Sequence, residues 1–202
     1  MKAYFLKTDT SQYVIYPVPE NESLYFVLDI DSDEELLQKT PVLHQGKLVL
    51  VDKQPSPDHE WDGKAWVISP EKMTALLSEK YDRLIEQIDN HAATIYSTWT
   101  RFESEYRERQ AAAEAFKSAN YEGECSRYIT DFAKRAGLNN KAATDLILVQ
   151  AAGLEKLQVE LANQRMRKYE LKVPGLTIEK MQSIYDDIIK QMDNLMEAYK
   201  NG

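Results

Sequence analysis

Histidines, a cysteine and closely spaced carboxylates are the residues here whose types could do chemistry, and their spacing decides what chemistry is open to them. His44, His59 and His91 are the three histidines and Cys125 is the one cysteine. Zinc ligands pair at short intervals, such as H-x3-H or C-x2-C, so that two of them share a helix face or a turn. These four residues are scattered instead. A single cysteine closes no internal disulfide, and as a nucleophile it would need a neighbour that stabilises its thiolate; packing is the plainer reading. The run Asp29-Ile30-Asp31-Ser32-Asp33 starts like a calcium loop. It places Glu34 where that loop needs glycine and Thr40 where it needs a bidentate glutamate, so an acidic loop leading into a helix accounts for it. No phosphate loop, dinucleotide glycine motif or nucleophile elbow occurs. The remaining carboxylates alternate with Lys and Arg along helical stretches, as on a solvated face. The expectation is a protein with no catalytic residue, no metal and no cofactor, acting through its surfaces.

Composition narrows the class of partner. The chain has 202 residues, 43% of them hydrophobic, and a formal charge of −8. A nucleic-acid binder needs a basic stripe to offset phosphate charge, and this balance argues against one. No run of about 18 apolar residues and no signal-peptide pattern occurs, so the expectation is a soluble cytosolic protein without membrane contact. Charge and proline both divide the chain. Residues 1–69 hold six Lys/Arg and twelve Asp/Glu, a net of −6; the remainder hold 19 and 21, a net of −2. Six of the seven prolines lie at or before Pro70.

The element that must organise the rest runs from Ser69 to about Asn120. No proline follows Pro70 until Pro174, and no glycine falls between Gly63 and Gly123. A breaker-free run rich in Ala, Leu, Glu, Lys, Arg and Gln predicts one continuous helix over 70–119, on the order of 75 Å long. Ser69 can cap it and Pro70 suits its first position. Leu77, Tyr81, Leu84, Ile88 and Ile95 follow 3-4 spacing, with His91 between, and Trp99, Phe102 and Tyr106 continue the stripe. Two successive steps of four, 91 to 95 to 99, resemble a coiled-coil stutter. Tyr81, Leu84, Ile88, Ile95, Trp99 and Phe102 are therefore candidates for a partner or oligomer seam; an ordinary core stripe fits the same spacing.

Around that helix the chain predicts two further regions. Before it, Tyr13–Tyr16, Leu24–Leu28 and Gly46–Val51 read as short strands, and 32–37 as a capped helix with acids in its first turn. His59 to Val67 reads as a hairpin. Asp62-Gly63 is the preferred pair for a two-residue type I′ turn, a register that opposes Trp61 to Lys64 and His59 to Trp66. Trp61 and Trp66 then share a face diagonally, either pinning a small core or forming an aromatic docking patch. After it, Ser126–Ala136 fits a short helix with Tyr128, Ile129, Phe132 and Ala133 inward and Gly137 as its left-handed cap. Asn139 or Asn140 can cap the next helix, which carries Ala143, Ile147, Leu154, Leu157 and Leu161 to about Leu171. From Thr177 a heptad helix places Ile178, Tyr185, Met192 and Tyr199 in one set and Met181, Ile188 and Leu195 in the other. Met181, Tyr185, Ile188, Met192 and Leu195 join the candidate seam. The fold class expected is α+β: a small β-rich domain over 1–69, then an elongated helical bundle or coiled coil over 70–202. Its parts are the long helix 70–119, a helical module 126–171 and the heptad helix 177–200.

Two segments carry a resemblance. Pro55-Ser56-Pro57-Asp58-His59-Glu60-Trp61-Asp62-Gly63-Lys64-Ala65-Trp66-Val67 resembles the P-S-P-x-H-x-W-(D/N)-G-x-x-W element of tailed-bacteriophage tail-fibre and tail-fibre-assembly proteins, where it also precedes a long charged helix. Phe116-Lys117, Tyr121-Glu122-Gly123, Phe132-Ala133, Ala136-Gly137-Leu138, Ala142 to Leu148 and Gln150-Ala151-Ala152 together are similar to a small helical module of phage tail-associated proteins. The two cover about a third of the chain, and neither is catalytic. The resemblance implies a fibre-assembly chaperone or fibre-tip cap, or alternatively a structural tail component forming a coiled-coil oligomer. The implied partner is a tail fibre or other tail protein, with a homo-oligomer as a further form. The implied location is the host cytoplasm during assembly, or the virion tail.

Overall fold

The computed structural model describes residues 1–201 and divides the chain into two compact units, Met1–Leu76 and a second beginning at Leu77. The class is mixed and mostly helical, with small antiparallel sheets confined to the first unit.

In the first unit, β1 (Lys2–Leu6) is the central strand, flanked by β2 (Asp9–Val14) and β3 (Tyr25–Asp29). Ala3, Tyr4 and Phe5 are all buried, so β1 is covered on both faces. A strand buried on both sides has no apolar–polar alternation, and this one stands outside the strands expected from the sequence. Helix α1 (Asp33–Gln38) follows. Then β4 (Lys39–His44) pairs with β5 (Lys47–Asp52). The turn residues Gln45 and Gly46 have φ of 49° and 78°, the left-handed pair that a two-residue type I′ turn requires. Pro41 hides β4 from a sequence reading; counting back from the closing pair His44–Lys47, it falls at a non-hydrogen-bonded position, where no N–H is needed. Ala3, Phe5, Ile30 and Leu48 form the core, with Ile15, Phe26, Leu28, Leu36 and Leu50 packed around them.

The last hairpin corrects the expected register. β6 (Glu60–Trp61) and β7 (Trp66–Val67) oppose Trp61 directly to Trp66, across a four-residue loop. The reason is Asp62. Its Oδ1 accepts from the Lys64 and Ala65 N–H groups, both at 2.8 Å, while its own N–H donates to Ala65 O at 3.1 Å. An aspartate that bonds its own turn favours the longer loop over a two-residue one.

Helix α2 starts as its sequence directs, with Ser69 Oγ accepting from Lys72 N–H ahead of Pro70. It does not run to 119. α2 (Pro70–Thr100) ends in a turn at Arg101-Phe102, and α3 (Glu103–Ser118) begins anew. Neither proline nor glycine makes this break. In the last turns before it, Ser97 Oγ donates to Thr94 O and Thr98 Oγ1 to Ile95 O. Such local bonds compete with the helix ladder, and Glu103 and Glu105 supply fresh acids for a new N-terminus.

α4 (Arg127–Ala136) and α5 (Asn140–Met166) form where expected. Ser126 caps α4, Gly137 closes it at φ 67°, and Asn139 Oδ1 accepts from Ala142 N–H at 2.8 Å to start α5. A 3-10 segment, Arg167–Lys172, continues α5, and α6 (Ile178–Asn201) completes the unit behind its Thr177 cap. Two cores result. α2, α5 and α6 enclose the first; α3, α4 and α5 enclose the second, with Ala113, Phe116, Ile129, Ala133, Ala143 and Ile147 buried.

Candidate functional site

The structure takes up most of the expected seam within the chain itself. Leu84, Ile88, Ile95 and Trp99 of α2 and Met181, Ile188 and Met192 of α6 are buried in one cluster, joined by Leu157 and Leu161 of α5. Tyr81, Tyr185 and Leu195 pack against it, half-buried. The heptads of α6 thus face α2 and α5 of their own chain, and their spacing records a three-helix core. Phe102 is left out, 49% exposed in the turn that ends α2. His91 is half-buried at the edge of this core, its Nε2 2.8 Å from Asp193 Oδ1. Beside it, Asp89 on α2 receives Arg165 Nε at 2.7 Å and the buried Lys168 Nζ at 2.7 and 2.8 Å. Desolvation opposes the charge on Asp89, but the hydrogen bonds from Lys168 and Arg165 outweigh it and hold the carboxyl below its ordinary range.

The tryptophan pair sits in a braced hairpin. The Trp61 and Trp66 rings meet edge to face, centroids 5.6 Å apart, and both side chains are half-buried. Trp66 Nε1 donates to Asp52 O at 2.7 Å, which ties the hairpin to the end of β5. His59 Nδ1 lies 2.8 Å from Ser56 Oγ. Gly63, at φ 104°, lies so close to His44 that an added Cβ would stand 2.7 Å from Nε2. Gly63→Ala therefore carries both a disfavoured φ and a clash. It is expected to destabilise the first unit by about 1–3 kcal/mol, read as a lower urea midpoint for tryptophan fluorescence.

The second core supports a surface that sequence reasoning did not single out. Asn120 and Tyr121 close α3 at φ 53° and 61°, a rare conformation for an aromatic residue. Tyr121 is held there from three sides: its hydroxyl donates to Asp145 Oδ1 at 2.7 Å, its ring meets Phe116 at 5.9 Å, and Lys141 Nζ stands 4.4 Å from its centroid. Asp145 also accepts from Lys141 at 3.0 Å and pairs with Lys117 at 3.3 Å. The Tyr121 hydroxyl, then Lys141 and Lys117, pull its pKa down to about 2. A folded-state pKa below the unfolded value contributes stability above the unfolded value, near 4, and loses it as pH falls toward 2. Tyr121→Phe is expected to flatten that acid limb of the unfolding curve, measured by circular dichroism between about pH 5 and 2. Cys125 packs beside this core, and burial pushes its thiol up, away from the reactive thiolate.

On the outer side of the same core, α3 and α4 bound an open groove lined by Arg109, Arg127, Tyr128, Asp131, Phe132 and Arg135. Tyr128, expected inward, is 43% exposed on its wall. Arg127 pairs with Asp131 at 3.1 Å, and Arg109 bonds Glu105 through Nη2 while its Nε is buried without a partner. The i, i+4, i+8 spacing of Arg127, Asp131 and Arg135 was the available sequence signal. Among the described residues, no group of three His, Cys, Asp or Glu is placed to hold a metal ion, and no helix is long and apolar enough to cross a membrane.

Comparison with known proteins gives one informative result. The chain is 48% identical over 198 residues to the "uncharacterized 23.3 kDa protein in lys 3′ region" of Haemophilus phage HP1, covering 98% of this chain and 99% of that protein. No family model and no solved structure matches.

Proposed function

Because the chain belongs to the same family as the Haemophilus phage HP1 protein, we propose that it is a phage-encoded tail-fibre assembly chaperone or fibre-tip cap. It acts by protein–protein contact, without catalysis or cofactor, in the host cytoplasm during assembly. The observation that carries the reading is the tryptophan hairpin. Pro55-Ser56-Pro57, His59, Trp61-Asp62-Gly63 and Trp66 stand in the order of the tail-fibre-assembly element that they resemble. Asp62 and the Trp66 indole hold that element in one conformation, with aromatic surface left half-open. Pre-organised aromatic surface is what a docking site for another chain needs. The alternative, a structural tail component built as a coiled-coil oligomer, has less support, because the heptad faces are buried against the chain's own helices.

Co-expression with the fibre encoded by the same phage or prophage tests the reading. Soluble, trimeric fibre is expected to accumulate with this chain present, and to fall to the level without it when Trp61 and Trp66 are both changed to Ala. Fibre that assembles equally well without the chain, with no complex on size-exclusion light scattering, would overturn it.

A further inference from the structure

Helix α5 is apolar on two opposite sides, and its own chain covers one of them. Ala143, Ile147, Leu157 and Leu161 face the two cores and are buried. Leu146, Val149, Ala152, Val159 and Met166 are exposed on the same helix, Val149 at 68% and Val159 at 54%. Apolar residues all round a helix are the mark of one buried on every side. The outer face also has a regular pattern. Val149, Ala152, Lys156, Val159, Asn163 and Met166 step by 3, 4, 3, 4 and 3 along the chain, the spacing with which one helix seats on another. The charges on this row decide between partners. Lys156 stands at its middle, with Glu155 and Glu160 on its two flanks. Among the described residues, none of these three makes an ion pair or a side-chain hydrogen bond. Two copies of α5 laid in the same direction would set Lys156 against Lys156 and Glu155 beside Glu160, like against like. Two copies laid in opposite directions, about a two-fold axis level with Gln158, bring Lys156 of each to Glu160 of the other. The same register sets Val149 level with Met166 and Ala152 level with Asn163. The row is thus its own complement in one direction only.

The geometry points to a second copy of this chain as the cover: an antiparallel dimer in which the outer faces of two α5 helices pack on each other about a two-fold axis near Gln158. A two-fold contact uses the same patch on both copies, so the assembly closes at two. Every residue it uses belongs to α5. The heptad faces of α2 and α6 take no part, since they are buried inside each chain. This inference is independent of the tail-fibre reading.

Sedimentation equilibrium of the full chain over a concentration series tests it. The wild type is expected to dimerise. Val149→Glu/Val159→Glu places unpaired carboxylates in the apolar row and should raise the dimer dissociation constant by about tenfold or more. Lys156→Glu and, separately, Glu160→Lys should each raise it by about tenfold or more, because each sets like charges face to face at both ends of the two-fold contact. An equimolar mixture of those two charge variants should dimerise again, since every reversed charge then meets its complement. None of the four positions is buried, so the circular dichroism spectrum should keep its helical form, and a spectrum altered in one variant leaves the others as the test. A wild type that stays monomeric would overturn the inference. So would a dimer that keeps its affinity in any correctly folded variant, or a mixture that stays monomeric.

Discussion

Ile188→Ala is expected to cost the helical unit about 2–5 kcal/mol, a loss that does not depend on protein concentration. Ile188 is fully buried where α6 meets α2 and α5, among Ile88, Leu161 and Met192, each also at 0% exposure. Truncation removes three carbons from a fully buried site, and where the neighbours relax only in part the lost transfer energy is joined by a cavity term. The measurement is a urea titration followed by helical circular dichroism at two protein concentrations about a hundredfold apart. If Ile188 sat in a seam between copies, dilution would destabilise the wild type and narrow its gap to the variant. Because the seam closes within the chain, the midpoint should fall by the same amount at both concentrations. Phe102→Ala supplies the contrast. Its ring is 49% exposed in the turn after α2, so its loss should stay below about 1 kcal/mol.

That contrast marks where the sequence was legible. Residues that announce themselves by local chemistry were read correctly: Ser69-Pro70 at the start of α2, Gly137 after α4 and Thr177 before α6 act as caps, and of the two candidates Asn139 and Asn140 it is Asn139 that caps α5; the capping role of Ser126 was not read. The apolar stripes of α2 and α6 were legible as stripes, but a 3-4 repeat has the same form whether it faces a sister helix or another chain. Elements defined against local preference were not legible. β1 carries no alternation because both faces are covered, and β4 contains Pro41. The break after Thr100 has neither proline nor glycine to announce it, and the Ser and Thr residues that precede it are a weaker signal. The hairpin of Trp61 and Trp66 was recognised while its register was missed, because Asp62 can support either loop length and the choice rests on bonds to Lys64 and Ala65. The arginine groove was missed for a different reason. Two helices build it, and only the α4 half has a periodic pattern.

Asp89→Asn is expected to cost about 2–3 kcal/mol at neutral pH, and the sign of its interaction with Lys168 is what makes it informative. Lys168 is 8% exposed, with Asp89 bonding its ammonium through both carboxylate oxygens. Removing the carboxylate leaves a desolvated charge with no counter-charge, a loss larger than the net worth of the pair. Asp89 is itself about a third open to solvent and also carries Arg165, so the figure falls short of the 3–5 kcal/mol of a fully enclosed pair. Lys168→Met should be milder, because it withdraws the buried charge together with its need for a partner. The double variant should therefore be more stable than Asp89→Asn alone, measured in the same urea titration. A double variant worse than the single one would show the ammonium to be hydrated after all. The acid limb gives a second reading. The Asp89 carboxyl is held below its ordinary range, so its contribution is complete above the unfolded value near 4 and is lost as pH falls below it. In Asp89→Asn that part of the acid dependence should vanish, while the part owed to Asp145 persists, since the two carboxylates belong to different cores.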